Sequence, residues 1–411
     1  MPREVVLATD APSTPVARQI SLRTVIQAVL NEGPISRAQI AKITGLSKQT
    51  ISEVVRELED DGWLRERGRT QGVLGRSAVT YEINNRAAFV LGMDLGGTKL
   101  RMAVADLAGA VLAEEEVPTD LRGGLHVVEQ IAALARRLAA RAGVPAAGLR
   151  FGVMGTPGVV DPESGAINVA PNIPGVDRID VAGALRERLG ITIAIENDVN
   201  LAVKGEQWQG HGAGAGTFAF IALGTGIGMG IVADGKLLRG ARGAAGEIAY
   251  LPIGGDPYDP RGFMLGTLET AVGSKGIADR YRDYGGTAGT TVREIFTALE
   301  AGDAIAAMTI DETARLIAPA LIAVQALIDP EVIVLGGSIG VRTELFERIR
   351  HHIGRCGHVP PRLAISRIGN RAALIGAIGA ALTDLHNSLF GLVVKPGDLS
   401  LPAVGGAGED C

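Results

Sequence analysis

Side chains suited to binding hydroxyl groups cluster around one strand-to-helix transition in the middle of the chain. The segment "ENDVN" places Asn197 and Asp198 where an apolar strand pattern ends and a helical pattern begins. A carboxylate in that position can act as general base on a sugar hydroxyl, and the neighbouring amide can hold a second hydroxyl. Glu247 in "GEIAY", Glu269 in "GTLE" and Asn172 in "APN" add groups of the same kind. Together these residues predict a sugar site, although each one alone is also compatible with a helix cap or a surface charge.

Three glycine-rich turns accompany these residues. The first, "DLGGTK", joins two strand patterns, so its backbone can approach a phosphate closely, and its Asp94 can hold a magnesium ion or its waters. The second, "LGTGIGMG", repeats this design, and the glycine pair in "LGGS" can let an adenosine lie against the backbone. One such turn is commonplace, but three in this order predict a nucleotide-binding cleft. The predicted nucleotide and phosphate residues are Asp94, Gly96, Gly97, Thr98, Lys99, Gly224, Thr225, Gly226, Gly228, Gly336 and Gly337.

A second kind of chemistry is indicated near the N-terminus. Three helical patterns, the turn "TGLS" and a two-stranded pattern over 63–83 follow one another, which is the order of a winged helix-turn-helix. If the apolar residues of the third helix are buried, its opposite face presents groups that pair with bases and phosphates. The predicted DNA contacts are Lys48, Gln49, Thr50, Ser52, Arg56 and, on the Gly/Arg-rich tip with Arg67 and Arg69, Arg76. The alternative is a small helical protein-interaction module with ordinary surface charge.

The elements that must position these groups define four segments. We predict a disordered tail over 1–17, the winged helix over 18–86, a larger α/β domain over 87–394 and a loosely ordered tail over 395–411. Two strand–Gly turn–strand units lie within the larger domain. They indicate a duplicated α/β domain around a central cleft.

Composition and charge agree with this division. The 411 residues include 46% apolar residues, 4% aromatic residues and 57 glycines, as expected of an α/β protein with many tight turns. The net charge is −5, but 18–86 carry +3, from eleven basic and eight acidic residues, which leaves −8 for the rest. Positive charge is thus concentrated where phosphate contact is predicted. Two distant cysteines exclude a disulfide framework, and no apolar run suits a signal peptide or a membrane span, so we expect a cytoplasmic protein.

With these motifs, the sequence resembles the ROK family (repressors, open reading frames and kinases) over about 18–385. It is most similar to the repressor branch that includes the xylose and N-acetylglucosamine repressors. The resemblance implies an actin/hexokinase-like fold of the ribonuclease H type. "GMDLGGTKLR" matches the first phosphate motif, "LGTGIGMG" the second and "LGGS" the adenosine region. It also implies that Asp198 is the kinase base and that Asn172, Asn197, Glu247 and Glu269 bind sugar.

The sequence departs from the family pattern at two places. Family members commonly carry Gly-Glu-Ile-Gly-His, where this chain has "GEIAY", so Tyr250 stands at a predicted sugar-contact position normally held by His. They also commonly carry a cysteine-rich stretch that holds zinc, where this chain reads "DPYDPRGFMLGTLE", with Thr267 in place of one cysteine. Because zinc needs about four N, S or O ligands, we expect no zinc of the family type and an altered sugar pocket beside Tyr250.

Three functions follow from this reading. The first is a repressor, acting as a homodimer or dimer of dimers on operator DNA, whose affinity changes when a sugar or sugar phosphate binds in the cleft. The second is an active sugar kinase that carries a DNA-binding domain and uses ATP and Mg²⁺. The third is a transcription factor that a transport protein sequesters. No sequence feature specifically supports this third function.

Overall fold

The computed structural model describes residues 16–70, 77–145, 148–161, 166–167, 173–356 and 359–390. Contacts divide these residues into two compact units. The first comprises the described residues up to Phe89, Asp106–Ala110 and those from Leu382 onward, and the second comprises Val90–Ala105 and Val111–Ala381. The boundary at Phe89 lies three residues after the end of the winged helix drawn from sequence.

The first unit contains the predicted winged helix-turn-helix. Its elements are α1 (Val16–Glu32), β1 (Ile35–Ser36), α2 (Arg37–Thr44), α3 (Lys48–Asp60), β2 (Leu64–Thr70) and β3 (Ala78–Ile83), with the strands in the antiparallel order β1-β3-β2. Helix α1 begins at Val16, two residues before the predicted start of the winged helix. Residues 1–15 and 391–411 lie outside the described residues, so the two predicted tails stay predictions.

Local sequence signals fix the helix-turn-helix. Ser36 and Gln39 form the predicted capping box at the start of α2. The Ser36 hydroxyl accepts a hydrogen bond from the Gln39 N–H, and the Gln39 side-chain oxygen accepts one from the Ser36 N–H. Gly45 ends α2 with φ of +72°, a conformation that favours glycine. Ser47 then caps α3 by accepting a hydrogen bond from the Thr50 N–H at 3.1 Å. The turn between the two helices is therefore set by residues within it.

Two five-stranded sheets form the second unit's framework, which confirms the predicted duplicated α/β architecture. One sheet has the order β6-β5-β4-β7-β8 and the other β11-β10-β9-β12-β13. The strands are β4 (Phe89–Leu95), β5 (Lys99–Asp106), β6 (Val111–Pro118), β7 (Leu149–Thr156), β8 (Thr192–Asn197), β9 (Phe218–Leu223), β10 (Ile227–Ala233), β11 (Lys236–Leu237), β12 (Ile333–Gly336) and β13 (Leu363–Ile365).

Helices cover and connect these sheets. They are α4 (Gly124–Arg141), α5 (Val181–Leu189), α6 (Asp198–Gln209), α7 (Pro260–Leu265), α8 (Thr267–Val272), α9 (Ser274–Asp283), α10 (Val292–Glu300), α11 (Ala304–Ile328), α12 (Gly337–Gly340), α13 (Thr343–Gly354) and α14 (Ala372–Phe390). Short 3₁₀ turns lie at Val176–Arg178, Ile248–Tyr250 and Gly369–Arg371. Among the described residues, no helix combines the length and apolar character needed to cross a bilayer.

Helices α6 and α14 cross with their backbones in contact. A Cβ atom at Gly376 would lie 1.7 Å from the Leu201 carbonyl oxygen, and one at Gly205 would lie 2.3 Å from the Ala372 carbonyl oxygen. No side chain larger than hydrogen fits at either position unless the helices separate. Helix α6, which begins at Asp198, is therefore held closely against α14.

Candidate functional site

Helix α3 presents the face predicted to contact DNA. Its buried residues are Ile51, Val54, Val55 and Leu58, as the pattern predicts. Lys48, Gln49, Ser52 and Arg56 are exposed, and Thr50 is half-buried. The apolar side of α3 therefore packs into its own unit and leaves its polar side to solvent.

Three of these polar residues on α3 make hydrogen bonds within the helix and its cap. The Ser52 hydroxyl donates to the Lys48 carbonyl at 2.9 Å, and the Thr50 hydroxyl lies 2.8 Å from that of Ser47. The Gln49 amide donates to the Glu53 carboxylate at 3.1 Å, which orients its two polar ends. Sequence reasoning missed Glu53, although its spacing of four from Gln49 on a helix places the two side chains together.

The wing is described only in part. Arg67 and Arg69 are exposed on β2, where the register with β3 shifts between Glu66 and Gly68. Arg67 lies 3.6 Å from the Glu82 carboxylate. The Arg76 position falls outside the described residues, so its predicted minor-groove contact stays a prediction.

The first glycine turn is closed by hydrogen bonds from its own backbone and from Thr119, the residue after β6. The Gly96 N–H donates to the Lys99 carbonyl at 2.9 Å, and Thr119 donates its hydroxyl to the Gly96 carbonyl at 2.7 Å. Gly97 and Thr98 lie between these anchors. Lys99 donates to the Glu116 carboxylate at 2.5 Å, and its predicted contact with a phosphate stays a prediction.

Asp94, which ends this strand pattern, has a basic neighbour that the sequence did not single out. The Arg101 guanidinium is 3.8 Å from the Asp94 carboxylate and donates to Glu116 and to the Asn370 carbonyl. Burial raises the pKa of Asp94 to about 7, and the negative charge of Asp198 adds to this increase, while Arg101 opposes it. Arg101 is a charged residue within a strand whose other residues are nearly all buried. This pattern was the signal that could have identified Arg101 from the sequence.

The second glycine turn is joined to Glu269. Gly224 donates its N–H to the Gly226 carbonyl at 2.9 Å, which tightens the turn around Thr225. The Ile227 N–H donates to the Glu269 carboxylate at 3.0 Å. A Cβ atom at Gly226 would lie 2.1 Å from the same carboxylate. Glu269 thus holds the hairpin of β9 and β10, a contact that its prediction as a sugar ligand did not include.

Gly228 and the pair Gly336 and Gly337 are glycines because of packing. A Cβ atom at Gly228 would approach Val199 of α6 to 3.0 Å, and one at Gly336 would approach the Phe220 ring to 2.2 Å. Gly337 has φ of +78°, and a Cβ there would lie 2.4 Å from the Leu223 carbonyl oxygen. This contact of "LGGS" with β9 explains the glycine pair without a nucleotide.

Asn197 and Asp198 lie where β8 passes into α6, as predicted. The Asn197 side-chain oxygen accepts hydrogen bonds from the N–H groups of Val199 and Asn200, and its amide donates to the Gly158 carbonyl at 3.0 Å. Asn197 is thus a helix cap, and the described residues engage one of its two amide hydrogens. Asp198 accepts from the Val199 N–H at 2.9 Å. Burial raises the pKa of Asp198 to about 6, and Glu247 contributes to the increase.

An ion pair next to these residues was also missed. The Arg239 guanidinium donates to the Glu196 carboxylate at 2.7 Å, and the other Glu196 oxygen accepts from the Asn200 amide at 3.0 Å. Arg239 lies in the loop that leads from β11 to Glu247. The pair therefore ties this loop to the start of α6.

The remaining predicted sugar contacts lie on both sides of α7. Burial raises the pKa of Glu247, and it also raises the pKa of Glu269, which Glu247 increases further. The charge of Asp198 affects the pKa of Asp94, and the charge of Glu247 affects the pKa values of Asp198 and Glu269, so the fold places these four carboxylates as successive neighbours. Tyr250 is 55% exposed and donates its hydroxyl to the Met264 carbonyl at 3.4 Å. Asn172 lies outside the described residues.

The segment that holds zinc in related sequences has different donors in this chain. Residues 256–269 contain neither Cys nor His, and the described residues include no group of three or more His, Cys, Asp or Glu able to hold a metal ion. The residues present therefore do not fit a tetrahedral zinc site of the N/S type. Backbone hydrogen bonds of Gly262 and Gly266, at 2.8 Å each, shape this segment.

Comparison with known proteins places the chain in a family. The ROK family profile matches residues 90–383, which is most of the chain and includes both glycine hairpins and all four carboxylates. The chain belongs to the ROK family. A MarR family profile matches residues 24–72, which contain α2 and α3.

Relatives of this ROK protein include a repressor and a kinase. The xylose repressor of Caldicellulosiruptor bescii is 25% identical over 389 residues, covering 90% of this chain and 96% of the relative. The glucokinase of Halalkalibacterium halodurans is 33% identical over 324 residues, and the match covers 73% of this chain and 96% of the glucokinase. Among solved structures, a ROK family transcriptional regulator described as a homologue of the Escherichia coli MLC protein has a TM-score of 0.73 and 25% identity, covering 91% of this chain and 98% of its own.

Proposed function

We propose that this ROK protein is a sugar-responsive DNA-binding transcriptional regulator that represses genes of carbohydrate metabolism. The observation that carries the proposal is the presence, in one chain, of the exposed polar face of α3 and the cluster of four carboxylates. Similarity to the xylose repressor, which extends over 90% of this chain, supports the same combination. Such a regulator acts in the cytoplasm, where its operator DNA is.

In this proposal, α3 enters the major groove of the operator. Lys48 neutralises a phosphate, while Gln49, held by Glu53, presents its amide to a base edge. Thr50, Ser52 and Arg56 line the same face, and Arg76 at the wing tip reaches the minor groove. A homodimer or dimer of dimers places two such helices on a two-fold symmetric operator, since one module alone has limited interface area.

The effector is a sugar or sugar phosphate. Asp198, Glu247 and Glu269 supply acceptors for neighbouring hydroxyls, and Asn172 and the remaining Asn197 amide hydrogen supply donors. Because an unpaired buried hydroxyl costs about 1–3 kcal/mol, each of these partners contributes about tenfold or more to affinity. Tyr250 stands where related sequences have His, so this side of the pocket selects a different substituent pattern. An effector that binds more tightly to one of two conformations shifts operator affinity by that difference.

A second function, transfer of a phosphoryl group from ATP to the sugar, is favoured by one observation. A pKa of about 6 for Asp198 suits a general base near neutral pH. ATP with Mg²⁺ would supply the phosphoryl group, and the hard oxygen donors of Asp94 fit such an ion. The Arg101 guanidinium at 3.8 Å already neutralises part of that carboxylate's charge, so we place this function second.

The experiment titrates operator binding of the full chain against a panel of sugars and sugar phosphates, with and without ATP and Mg²⁺. A specific sugar that changes operator affinity without ATP turnover supports the regulator. Asp198→Asn and Glu247→Ala should each shift the effector dose. An effector response unchanged by both substitutions would contradict the proposed site, and turnover of ATP with a sugar would establish the kinase.

A further inference from the structure

A cavity of about 600 Å³ lies in the second unit, where α13 ends and β13 begins. We call this cavity the α13 pocket. Its walls combine the apolar side chains of Phe346, Pro360 and Pro361 with the basic side chains of Arg350, His351 and Arg362. Because ligand sites are usually cavities of about 300–1,000 Å³ with apolar walls and a few polar groups, the α13 pocket has the size and composition of a ligand site.

The α13 pocket lies at the opposite end of its sheet from the second glycine turn. Strands β12 and β13 are parallel, and Leu363 beside the pocket pairs with Ile333 at the start of β12. The glycine pair lies at the other end of β12, where Gly337 approaches the Leu223 carbonyl. The pocket is therefore separate from the sugar site proposed above.

Basic residues are concentrated in the segment that forms this pocket. Residues 348–371 contain six Arg and no Asp or Glu, although the chain outside 18–86 carries −8 in total. The helix dipole favours basic residues in the last turn of α13, but Arg362 lies just before β13 and is not part of that helix. The dipole therefore does not explain the charge of Arg362.

The two arginines of the α13 pocket differ in their partners. Arg350 forms an ion pair with Glu347 at 3.1 Å, and its guanidinium lies 6.0 Å from the centroid of the Phe346 ring. Arg362 forms no ion pair with a carboxylate of the described residues. Arg350 is thus held against the pocket wall, whereas the exposed Arg362 guanidinium is available to an anion.

A neighbouring histidine reports the positive charge around Arg362. Burial lowers the pKa of His211, and the positive charges of Arg367 and Arg362 lower it further, while Glu206 opposes them. The Glu206 carboxylate is buried and already accepts hydrogen bonds from the Ser366 hydroxyl and the His211 N–H. An anion bound beside Arg362 would reduce this repulsion between like charges.

The His351 imidazole is positioned by a buried neighbour. Its ring lies edge-on to the His352 ring, with the two centroids 5.5 Å apart. His352 is buried, and its Nε2 lies 3.1 Å from the Asp311 carboxylate. His351 therefore has a defined place beside the pocket and can donate a hydrogen bond from its ring.

We propose that the α13 pocket binds an organic phosphate, that is, a nucleotide or a sugar phosphate. The Arg362 guanidinium and the His351 ring N–H bind the phosphate, because a planar guanidinium can pair with two phosphate oxygens at once. The organic part packs on Phe346 and Pro360, a contact that inorganic phosphate cannot make. The inference goes beyond the proposed function and does not depend on it, since neither α3 nor the four carboxylates take part.

The test titrates the full chain with AMP, glucose 6-phosphate and inorganic phosphate in a calorimeter. We expect one of the two organic phosphates to bind at least about tenfold more tightly than inorganic phosphate, and the tighter one identifies the kind of ligand. Arg362→Glu should raise the Kd of that ligand about tenfold or more, and His351→Ala should raise it severalfold. Arg355→Glu is the matched control, because Arg355 is also exposed but does not line the pocket, and it should change the Kd less than about twofold.

Glu247→Ala distinguishes this pocket from the proposed sugar site. Binding that persists in Glu247→Ala and weakens in Arg362→Glu supports the inference, with circular dichroism to establish that each variant folds. Binding that weakens in Glu247→Ala and persists in Arg362→Glu and His351→Ala would overturn the inference and leave the proposed function intact. Equal weakening by Arg362→Glu and Arg355→Glu would also overturn it, as would organic phosphates that bind no more tightly than inorganic phosphate.

Discussion

The raised pKa of Asp198 means that this carboxylate lowers stability at neutral pH. In the unfolded chain Asp198 ionises near its ordinary pKa of 3.8, whereas in the folded chain it keeps its proton up to about pH 6. As pH rises from 4 to 6 the unfolded state therefore loses a proton that the folded state retains, and stability falls across this window. This loss of unfolding free energy is absent below about pH 4 and complete above about pH 6.

Replacing Asp198 with Asn removes this cost. A pKa raised from 3.8 to about 6 corresponds to about 3 kcal/mol at most. Because the side chain is partly exposed, solvent reduces this to about 1–2 kcal/mol. The Asn side-chain oxygen can still accept the hydrogen bond from the Val199 N–H, which lies 2.9 Å from the present carboxylate oxygen. We therefore expect Asp198→Asn to raise the melting temperature by about 2–5 °C at pH 8 and to leave it unchanged at pH 4.

Thermal unfolding at the two pH values measures this difference. Asp177→Asn serves as control, because Asp177 is exposed, and it should change the melting temperature little at either pH. A variant at Asp198 that is less stable than wild type at pH 8, or equally shifted at pH 4 and pH 8, would refute the reasoning. In the same variant, the effector dose for operator release should change, because the charged acceptor is gone.

Four further outcomes are expected. Lys48→Ala should weaken binding to all operator sequences alike and reduce the slope of log affinity against log salt concentration by about 1. Gln49→Ala should change the preference at one base pair by about 1–3 kcal/mol, which selection of binding sites from random DNA would record. Gly376→Ala should lower unfolding free energy by about 1–3 kcal/mol, since the new methyl would lie 1.7 Å from a carbonyl oxygen of α6; Gly354→Ala, with no atom within 4 Å, should not. Gly226→Ala should displace the Glu269 carboxylate, because the new methyl group would lie 2.1 Å from it, and should raise the effector concentration needed for operator release about tenfold or more. Elemental analysis of untagged protein should find less than one zinc per chain, and stoichiometric zinc lost together with effector binding would contradict this.

Sequence patterns anticipated the features that depend on near neighbours. The capping box of Ser36 and Gln39, the left-handed turn at Gly45 and the outward face of α3 each follow from residues a few positions apart. The two glycine hairpins and the position of Asn197 and Asp198 after β8 were predicted for the same reason. These interactions form within one element or one turn, so they can be read from local order alone.

Contacts between distant segments were decided by the tertiary structure. Arg101 and its acceptor Asn370 are 269 residues apart, and Glu269 and its donor Ile227 are 42 apart. Lys99, predicted beside a phosphate, is paired with Glu116 of the neighbouring strand β6. The raised pKa values of the four carboxylates also require burial and mutual proximity. The sequence alone determined which residue types were available for a sugar and phosphate site. Only the packing of the sheets and of α6 against α14 determined which of them meet, because charge and hydrogen-bond energies depend on distances that local order does not set.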